Sequence, residues 1–227
     1  AVHPMLHAAK GLDAETFAAR VTPTIVKLFT SSADKTVRMA LLENLHAFAE
    51  HLPEKVVDET VWPATQTGFA DEEPYLRELT LKSTLLFAPK LSQRSHQGML
   101  KHLSKLQTDV EPAIRANTTI LLGNVAGYLS ETTAKRVLLN AFTRALRDPF
   151  PPARVAGVMA LVATIAYYDP GECAGRVVPS VAPLCADPDN DVRKNAFECL
   201  EAFVDVLKKH SARLERGPEA AALPSPL

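Results

Sequence analysis

The sequence has little glycine and few aromatic side chains. Glycine accounts for 9 of the 227 residues, and Phe, Trp and Tyr together make up 6%. Hydrophobic residues still amount to 47%, enough for a sizeable core, and Ala, Leu and Val dominate them. Because sheets favour aromatic and β-branched residues while Ala and Leu favour helices, this composition predicts an all-α chain.

The sequence also has only three cysteines, no long apolar run and no large excess of one charge. Cys173, Cys185 and Cys199 are odd in number and widely spaced, which favours a reducing compartment over a disulfide framework. No stretch approaches 18 consecutive apolar residues, so we expect no membrane insertion. The net charge of -1 argues against a wholly basic nucleic-acid binder. The chain begins at Ala1 rather than at Met, and we expect it to be a piece of a longer protein.

A repeated pattern runs along the chain. A residue pair ending in arginine recurs with steps of 39, 38, 39 and 39 residues, at Arg38, Arg77, Arg115, Arg154 and Arg193. Six residues before each arginine stand Ser32, Asp71, Asp109, Asp148 and Asp187. Three residues before each arginine stand Lys35, Pro74, Pro112, Pro151 and Asn190. We expect the aspartate to close a turn by accepting backbone N–H groups, and the proline to open the helix that follows.

Each repeat is therefore predicted to be a pair of helices. The first helices are predicted over 15–30, 54–69, 92–107, 131–147 and 172–186. The second helices are predicted over 35–50, 74–88, 112–128, 152–167 and 190–208. Pro23, Pro63 and Pro179 fall in or near first helices and are expected to bend them.

A period near 40 with two helices is typical of HEAT or armadillo repeats, and the lack of room for a third helix favours HEAT. The predicted fold is an all-α, right-handed alpha-alpha superhelix, a HEAT-repeat solenoid of five repeats after a leading half repeat. Its predicted segments are a truncated repeat at 1–11, repeats at 12–51, 52–90, 91–129, 130–168 and 169–208, and a C-terminal tail at 209–227.

Three stretches carry a resemblance to a known family. They are TPTIVKLFTSSADKTVRMALLENL, RANTTILLGNVAGYLS and RDPFPPARVAGVMAL, of which the last two are far more specific than generic HEAT sequence. They are similar to the HEAT-repeat region of the SCY-like pseudokinases, also called N-terminal kinase-like proteins, and the similarity covers about residues 12–208.

The resemblance implies a role for the parent protein. Members of the family carry an inactive kinase-like domain ahead of the repeats and are associated with coatomer-coated vesicle traffic between Golgi and endoplasmic reticulum. The yeast relative is associated with nuclear export of tRNA. Because the 227 residues hold no kinase-like domain and end in LPSPL, we expect this region to lack the nucleotide site and the dibasic coatomer-binding tail of the family. The resemblance therefore assigns it no nucleotide site.

The repeated arginines have two interpretations: a ligand-binding stripe, or a structural ladder in which Asp–Arg pairs tie neighbouring turns together. A residue that recurs at the same position of every repeat is expected to meet a structural requirement that all repeats share. This favours the ladder over a ligand-binding stripe. Its predicted members are Asp71, Arg77, Asp109, Arg115, Asp148, Arg154, Asp187 and Arg193.

Positive charge is concentrated in residues 90–147, which hold 9 basic and 3 acidic side chains. The flanking segments 1–89 and 148–227 are acidic, at -4 and -3. Stacked first helices would merge the basic residues into one patch that binds phosphates or an acidic protein, against the alternative of an ordinary solvated surface. The candidate patch comprises Lys90, Arg94, Lys101, Lys105, Lys135, Arg136, Arg144 and Arg147.

Other motifs favour plain structural roles. His3 and His7 have the spacing of helical metal ligands but no third ligand, and the glycosylation-like triplet 117–119 falls within a second helix. Gly123 and Gly127 suggest a close helix contact, and Trp62 is expected in the core or in a seam, with partner anchoring as the alternative. We predict no catalytic residue, cofactor or metal.

Two functions follow from these observations. The first is a non-catalytic, cytoplasmic scaffold, peripheral at Golgi or endoplasmic reticulum, that binds protein partners such as coat components and takes no small-molecule substrate. The second is an RNA-binding adaptor in tRNA nuclear export that uses the basic segment 90–147. Salt separates them, because phosphate binding weakens steeply as salt rises.

Overall fold

The computed structural model describes Val2, Pro4, Ala9 and residues 11–32 and 34–216, and these residues contain helices and turns but no strand. The all-α prediction is therefore confirmed for this part of the chain. The predicted half repeat at 1–11 and the end of the tail at 217–227 lie largely or wholly outside the described residues. The chain divides into two compact units, Ala1–Ser130 and Glu131–Leu227, and the division falls beside the predicted start of the fourth repeat.

The first unit contains α1 to α8, which are Ala14–Arg20, Thr22–Ser31, Lys35–Glu43, Glu54–Val56, Trp62–Thr65, Pro74–Phe87, Gln93–Leu106 and Pro112–Asn124. The second unit contains α9 to α13, which are Glu131–Ala145, Pro151–Ala163, Pro170–Glu172, Val178–Val181 and Asn190–Arg216. Helices of one predicted repeat pack against each other, as α7 does on α8 and α9 on α10. Successive second helices also pack together, as α3, α6 and α8 do in the first unit and α10 and α13 in the second.

Prolines divide the first helices as predicted. Pro63 follows a π-helical turn at Val57–Val61, and Pro179 follows another at Cys173–Val177. Proline has no N–H for the i−4 carbonyl, and a wider turn before the ring accommodates this loss. Pro23 lies at the start of α2, where the chain breaks between α1 and α2.

The second helices begin close to where they are predicted but end differently. Pro74, Pro112 and Pro151 are each the first residue of a helix, where a missing N–H costs nothing. In the first four repeats the predicted last turn is 3₁₀ rather than α, at Leu45–Ala47, Ala88–Lys90, Ala126–Tyr128 and Ile165–Tyr167. The last second helix, α13, instead continues to Arg216, beyond its predicted end at residue 208.

Aromatic side chains fill each core. In the first unit Trp62 is fully buried, with its ring edge-on to Phe69 at 5.9 Å and to Phe87 at 6.1 Å between centroids. This burial agrees with the core interpretation of Trp62 and leaves no exposed ring for a partner. In the second unit the buried Tyr168 ring lies 6.1 Å from Phe203.

A close contact between the two helices of the second repeat forces glycine at position 68. A Cβ atom added to Gly68 would lie 2.2 Å from the Oγ1 atom and 3.2 Å from the Cβ atom of Thr80. Thr80 is fully buried and its hydroxyl donates to the Leu76 carbonyl, so it has no free space to move into.

We expect Gly68→Ala to lower the free energy of unfolding by about 1–3 kcal/mol, because the added methyl group overpacks this contact. Gly98→Ala is the matched control. The nearest atom to its new Cβ would be Gln66 Oε1 at 3.6 Å, and alanine favours the helix by about 1 kcal/mol. Urea denaturation of both variants measures the difference. Equal midpoints would contradict this packing.

Candidate functional site

The turns between the helices of each repeat are closed by the predicted acidic residues. The carboxylate accepts a hydrogen bond of 2.9 Å from the backbone N–H two residues later in the pairs Asp71–Glu73, Asp109–Glu111, Asp148–Phe150 and Asp187–Asp189. In the first repeat the Ser32 hydroxyl accepts from the Asp34 N–H at 3.3 Å. A short polar side chain bonded to its own turn holds the backbone out of the helical conformation at this point.

The repeated arginine bonds back to the same turn. Its Nη1 donates to the carbonyl oxygen six residues earlier, at 2.9 Å from Asp71, 2.9 Å from Asp109, 2.8 Å from Asp148 and 2.6 Å from Asp187. These carbonyls lie in the turn before the helix. The arginine therefore provides a hydrogen bond to backbone acceptors that precede the helical ladder.

Two predicted pairs are brought together across neighbouring repeats. Arg77 Nε donates to Asp109 Oδ2 and Arg77 Nη2 donates to Asp109 Oδ1, both at 2.8 Å, so the pair is bidentate. Arg154 Nη2 donates to Asp187 Oδ1 at 2.7 Å. Both pairs are nearly inaccessible to solvent, with side chains 7–11% exposed. The corresponding ion pair between Arg115 and Asp148 stays a prediction.

The first repeat departs from this pattern. The carboxylate of Asp71 pairs with Lys35 Nζ at 2.7 Å, while Arg38 donates to the hydroxyl of Thr67 at 2.9 Å. Lys35 occupies the position that holds proline in the next three repeats, so sequence reasoning did not place it in the ladder. The final arginine, Arg193, bonds its own turn and the side chain of Asn190.

These pairs hold the aspartates ionised. Hydrogen bonding from Arg154 lowers the pKa of Asp187, and the bond from Lys35 lowers that of Asp71. For Asp109 burial opposes ionisation, but the bonds from Arg77 and the Glu111 N–H outweigh it, so its pKa is also lowered. Such a group stabilises the fold above its ordinary pKa of about 4, and the contribution is lost as the pH falls below that value.

The basic residues of the first unit fall into two kinds. Lys90 is half-buried, and its Nζ donates to the carbonyl oxygens of Ala49, Glu50 and Leu52 at 2.6–2.9 Å. The Lys90 ammonium therefore bonds the backbone at the end of the preceding repeat and is not available to a ligand. Its partial burial lowers the pKa of Lys90. By contrast, the remaining candidates lie exposed along one face of α7 at i, i+7 and i+11: Arg94, Lys101 and Lys105.

The other half of the predicted patch belongs to the second unit. Lys135 forms an exposed ion pair with Glu131 at 2.7 Å, one turn away on α9. Three further candidates are also exposed: Arg136, Arg144 and Arg147. The merging of both halves into one patch stays a prediction, because they belong to different compact units.

Sequence reasoning missed a set of exposed apolar side chains on the second helices. Met159 on α10 is 58% exposed and Phe197 on α13 is 54% exposed, and these two helices pack on each other. The set also includes Tyr75, Leu85, Leu86, Ile120, Val162 and Val204. Apolar periodicity predicts that a residue shares a helix face with others. It does not show whether a neighbouring repeat covers that face.

The close helix contact expected at Gly127 is wrong, because a Cβ added there would have no atom within 4 Å. Several other motifs have structural roles where they are described. Thr118 and Thr119 are buried and bond to carbonyls one turn back, so the 117–119 triplet is not an exposed loop. Cys173 and Cys199 are buried thiols with raised pKa values, to about 12 for Cys199 because of burial. No cluster of three potential metal ligands occurs among the described residues, which leave out His3 and His7. None of the described helices is long and apolar enough to cross a membrane.

We expect Asp109→Asn to lower the free energy of unfolding by about 3 kcal/mol at pH 7, since it leaves Arg77 buried without its counter-ion. It should also flatten the decline in stability between pH 5 and pH 2. Asp205→Asn is the control, because its pair with Lys209 is 58–70% exposed and should contribute less than about 1 kcal/mol. Urea titrations at several pH values provide the measurement. An equal loss in both variants would disprove a special role for the buried pair.

Comparisons with known proteins agree with this geometry. The HEAT repeat family model matches residues 177–207. Designed armadillo repeat proteins share the fold, with a TM-score of 0.61 over 89% of this chain at 20% identity. The crystal structure of Cex1p superposes with a TM-score of 0.75 at 27% identity, over 83% of this chain and 36% of that one.

Relatives in sequence share the same region. The probable inactive serine/threonine-protein kinase scy1 of Dictyostelium discoideum is 39% identical over 91% of this chain. Protein kinase domain-containing protein ppk3 of Schizosaccharomyces pombe is 32% identical over 76%, and cytoplasmic export protein 1 of Saccharomyces cerevisiae is 26% identical over 83%. The chain spans about a quarter of each relative, 25%, 27% and 25% respectively. It is therefore a HEAT-repeat region of the SCY-like inactive-kinase family.

Proposed function

We propose that this region is a non-catalytic, cytoplasmic scaffold that binds protein partners in coatomer-linked traffic from Golgi to endoplasmic reticulum. The name of the Dictyostelium relative, a probable inactive kinase, supports the lack of catalysis. The stacked helix pairs support the scaffold role, because such repeats present long faces made of many equivalent positions. The link to coatomer comes from the family resemblance.

The exposed apolar side chains of the second helices carry this proposal. Met159 and Phe197 project from helices that pack side by side, and Val162 and Val204 are partly exposed on the same two helices. Methionine and phenylalanine are enriched at protein interfaces, where burial of their large apolar surface drives association. Exposed apolar residues that lie together on neighbouring helices mark interaction sites, whereas single scattered ones do not.

Purified coatomer offers a direct test of this surface. Although we expect this region to lack the dibasic tail of the family, coatomer should bind it through these apolar side chains. The double variant M159S/F197S should bind at least tenfold more weakly, because burial of two large apolar groups is lost. Biolayer interferometry with immobilised chain gives both affinities. The variant should keep the thermal midpoint of the parent, since both side chains are exposed.

Val110→Ser is the control for this experiment. Val110 is 83% exposed but lies in the turn between α7 and α8, away from the second-helix faces, so its replacement should leave coatomer binding unchanged. The proposal fails if coatomer does not bind, or if the double variant and the control bind equally well.

The second candidate function is an RNA-binding adaptor in tRNA nuclear export. Two observations favour it: the similarity to cytoplasmic export protein 1, and the exposed stripe of Arg94, Lys101 and Lys105 on α7. Among the described residues these three cations have no ion-pair partner, so they are available to phosphates. The stripe contains no aromatic side chain for base stacking, which restricts it to contacts with the RNA backbone.

A titration with labelled tRNA tests this candidate. Three phosphate contacts should weaken binding about 20- to 40-fold between 50 mM and 200 mM salt, and K101E/K105E should abolish it. Lys82→Glu, K82E, serves as the control, because Lys82 is already paired with Glu78 on α6 at 2.6 Å. Binding that ignores salt, or no binding at 50 mM salt, would remove RNA from the functions of this region.

A further inference from the structure

The second unit contains an open groove that is separate from the exposed apolar side chains of the second helices and from the α7 stripe, and that shares only Arg147 with the candidate basic patch. It has a volume of about 510 Å³ and lies between the C-terminal end of α9 and the divided first helix of the last repeat. Thr143, Leu146 and Arg147 line one side, and residues from 175 to 184 line the other. Grooves of this size accept a small molecule or a few residues of an extended peptide.

Both charged residues that line the groove are arginines. Arg147 is exposed, and its guanidinium has no hydrogen-bond or ion partner in the described part of the chain. Arg176 donates from Nη2 to Asn140 Oδ1 at 2.6 Å, and its Nη1 lies 3.9 Å from Glu172 Oε1. The bond to Asn140 orients the guanidinium of Arg176, and Glu172 neutralises part of its charge. The groove thus presents the exposed guanidinium of Arg147 and the oriented guanidinium of Arg176.

A hydroxyl group lies among these charges. Ser180 lines the same groove, and no partner for its hydroxyl occurs among the described residues. Thr143 does not provide a second donor, because its hydroxyl already donates to the Leu139 carbonyl at 2.8 Å. Two guanidinium groups and one hydroxyl match a tetrahedral dianion, which accepts bidentate arginine bonds through its oxygens.

The rest of the wall is apolar and non-aromatic. It consists of the aliphatic side chains and rings of Leu146, Pro179, Pro183 and Leu184. Such walls suit the aliphatic flanks of a peptide. They provide no ring on which a nucleobase could stack, which disfavours single-stranded RNA as the occupant.

We propose that this groove binds a phosphorylated serine or threonine in an extended segment of a partner protein. Arg147 and Arg176 hold the phosphate, Ser180 donates to it, and the proline and leucine side chains contact the residues beside it. The inference deepens the protein-binding role proposed above and rests on it. It uses a different surface from Met159 and Phe197, so either site can fail in its own experiment while the other still binds.

The test uses the whole 227-residue chain and a labelled mixture of eight-residue peptides, each with one fixed phosphoserine and degenerate flanking residues. We expect the mixture to bind, and Arg147→Ala to weaken binding at least tenfold, because one guanidinium fork is lost. The same mixture with unphosphorylated serine should bind at least tenfold more weakly than the phosphorylated one. Fluorescence anisotropy reports each affinity, and inorganic phosphate should compete.

Two further variants separate binding from folding. Gly175 lines the groove, and a Cβ added there would have no atom within 4 Å. We therefore expect Gly175→Leu to keep the thermal midpoint of the parent and, because its side chain occupies part of the groove, to abolish peptide binding. Arg213→Ala removes an exposed arginine that does not line the groove and should bind like the parent. The proposal is overturned by equal binding of both mixtures, by unchanged binding in Gly175→Leu, or by an RNA oligonucleotide that binds the groove where the phosphopeptides do not.

Discussion

The structure depends on one arginine that serves two turns at once. Its Nη1 donates to carbonyl oxygens that precede its own second helix, and its Nη2 reaches the aspartate that closes the next turn, together with Nε in Arg77. In Arg77 and Arg154 both functions are realised with nearly complete burial. A helix pair cannot bury its apolar face alone, so neighbouring repeats must be held in register, and this side chain provides a polar contact that is specific for that register.

This arrangement explains why so much of the fold could be predicted from the sequence. Every repeat must close its turn, open its second helix and attach to a neighbour, so the Asp, Pro and Arg positions recur at a fixed spacing. The exceptions follow from contacts that spacing does not show. Lys35, and not Arg38, pairs with the aspartate of the next turn, and Lys90 reaches three carbonyls of the preceding repeat. Lys90 lies in the 3₁₀ turn that ends its second helix, and these 3₁₀ ends were not predicted.

The candidate binding surfaces were less predictable, for a related reason. The sequence-predicted patch includes Arg94, Lys101 and Lys105, which are exposed on α7, and their role in binding stays a prediction. It also included Lys90, whose ammonium is used inside the fold. The exposed Met159 and Phe197 could not be distinguished from core residues by periodicity, since only the packing of the next helix decides which apolar positions stay uncovered. The groove lined by Arg147 and Arg176 likewise combines residues of two repeats, so no short sequence motif indicates it.

The most direct test of the central claim is a double-mutant cycle between Arg77 and Asp109, measured as the free energy of unfolding of the parent, Arg77→Met, Asp109→Asn and the double variant at pH 7. If the pair joins adjacent repeats as described, its coupling energy should exceed about 1.5 kcal/mol, with the double variant more stable than the sum of the single losses predicts. Additive losses, with a coupling energy near zero, would show that the two side chains stabilise only their own turns.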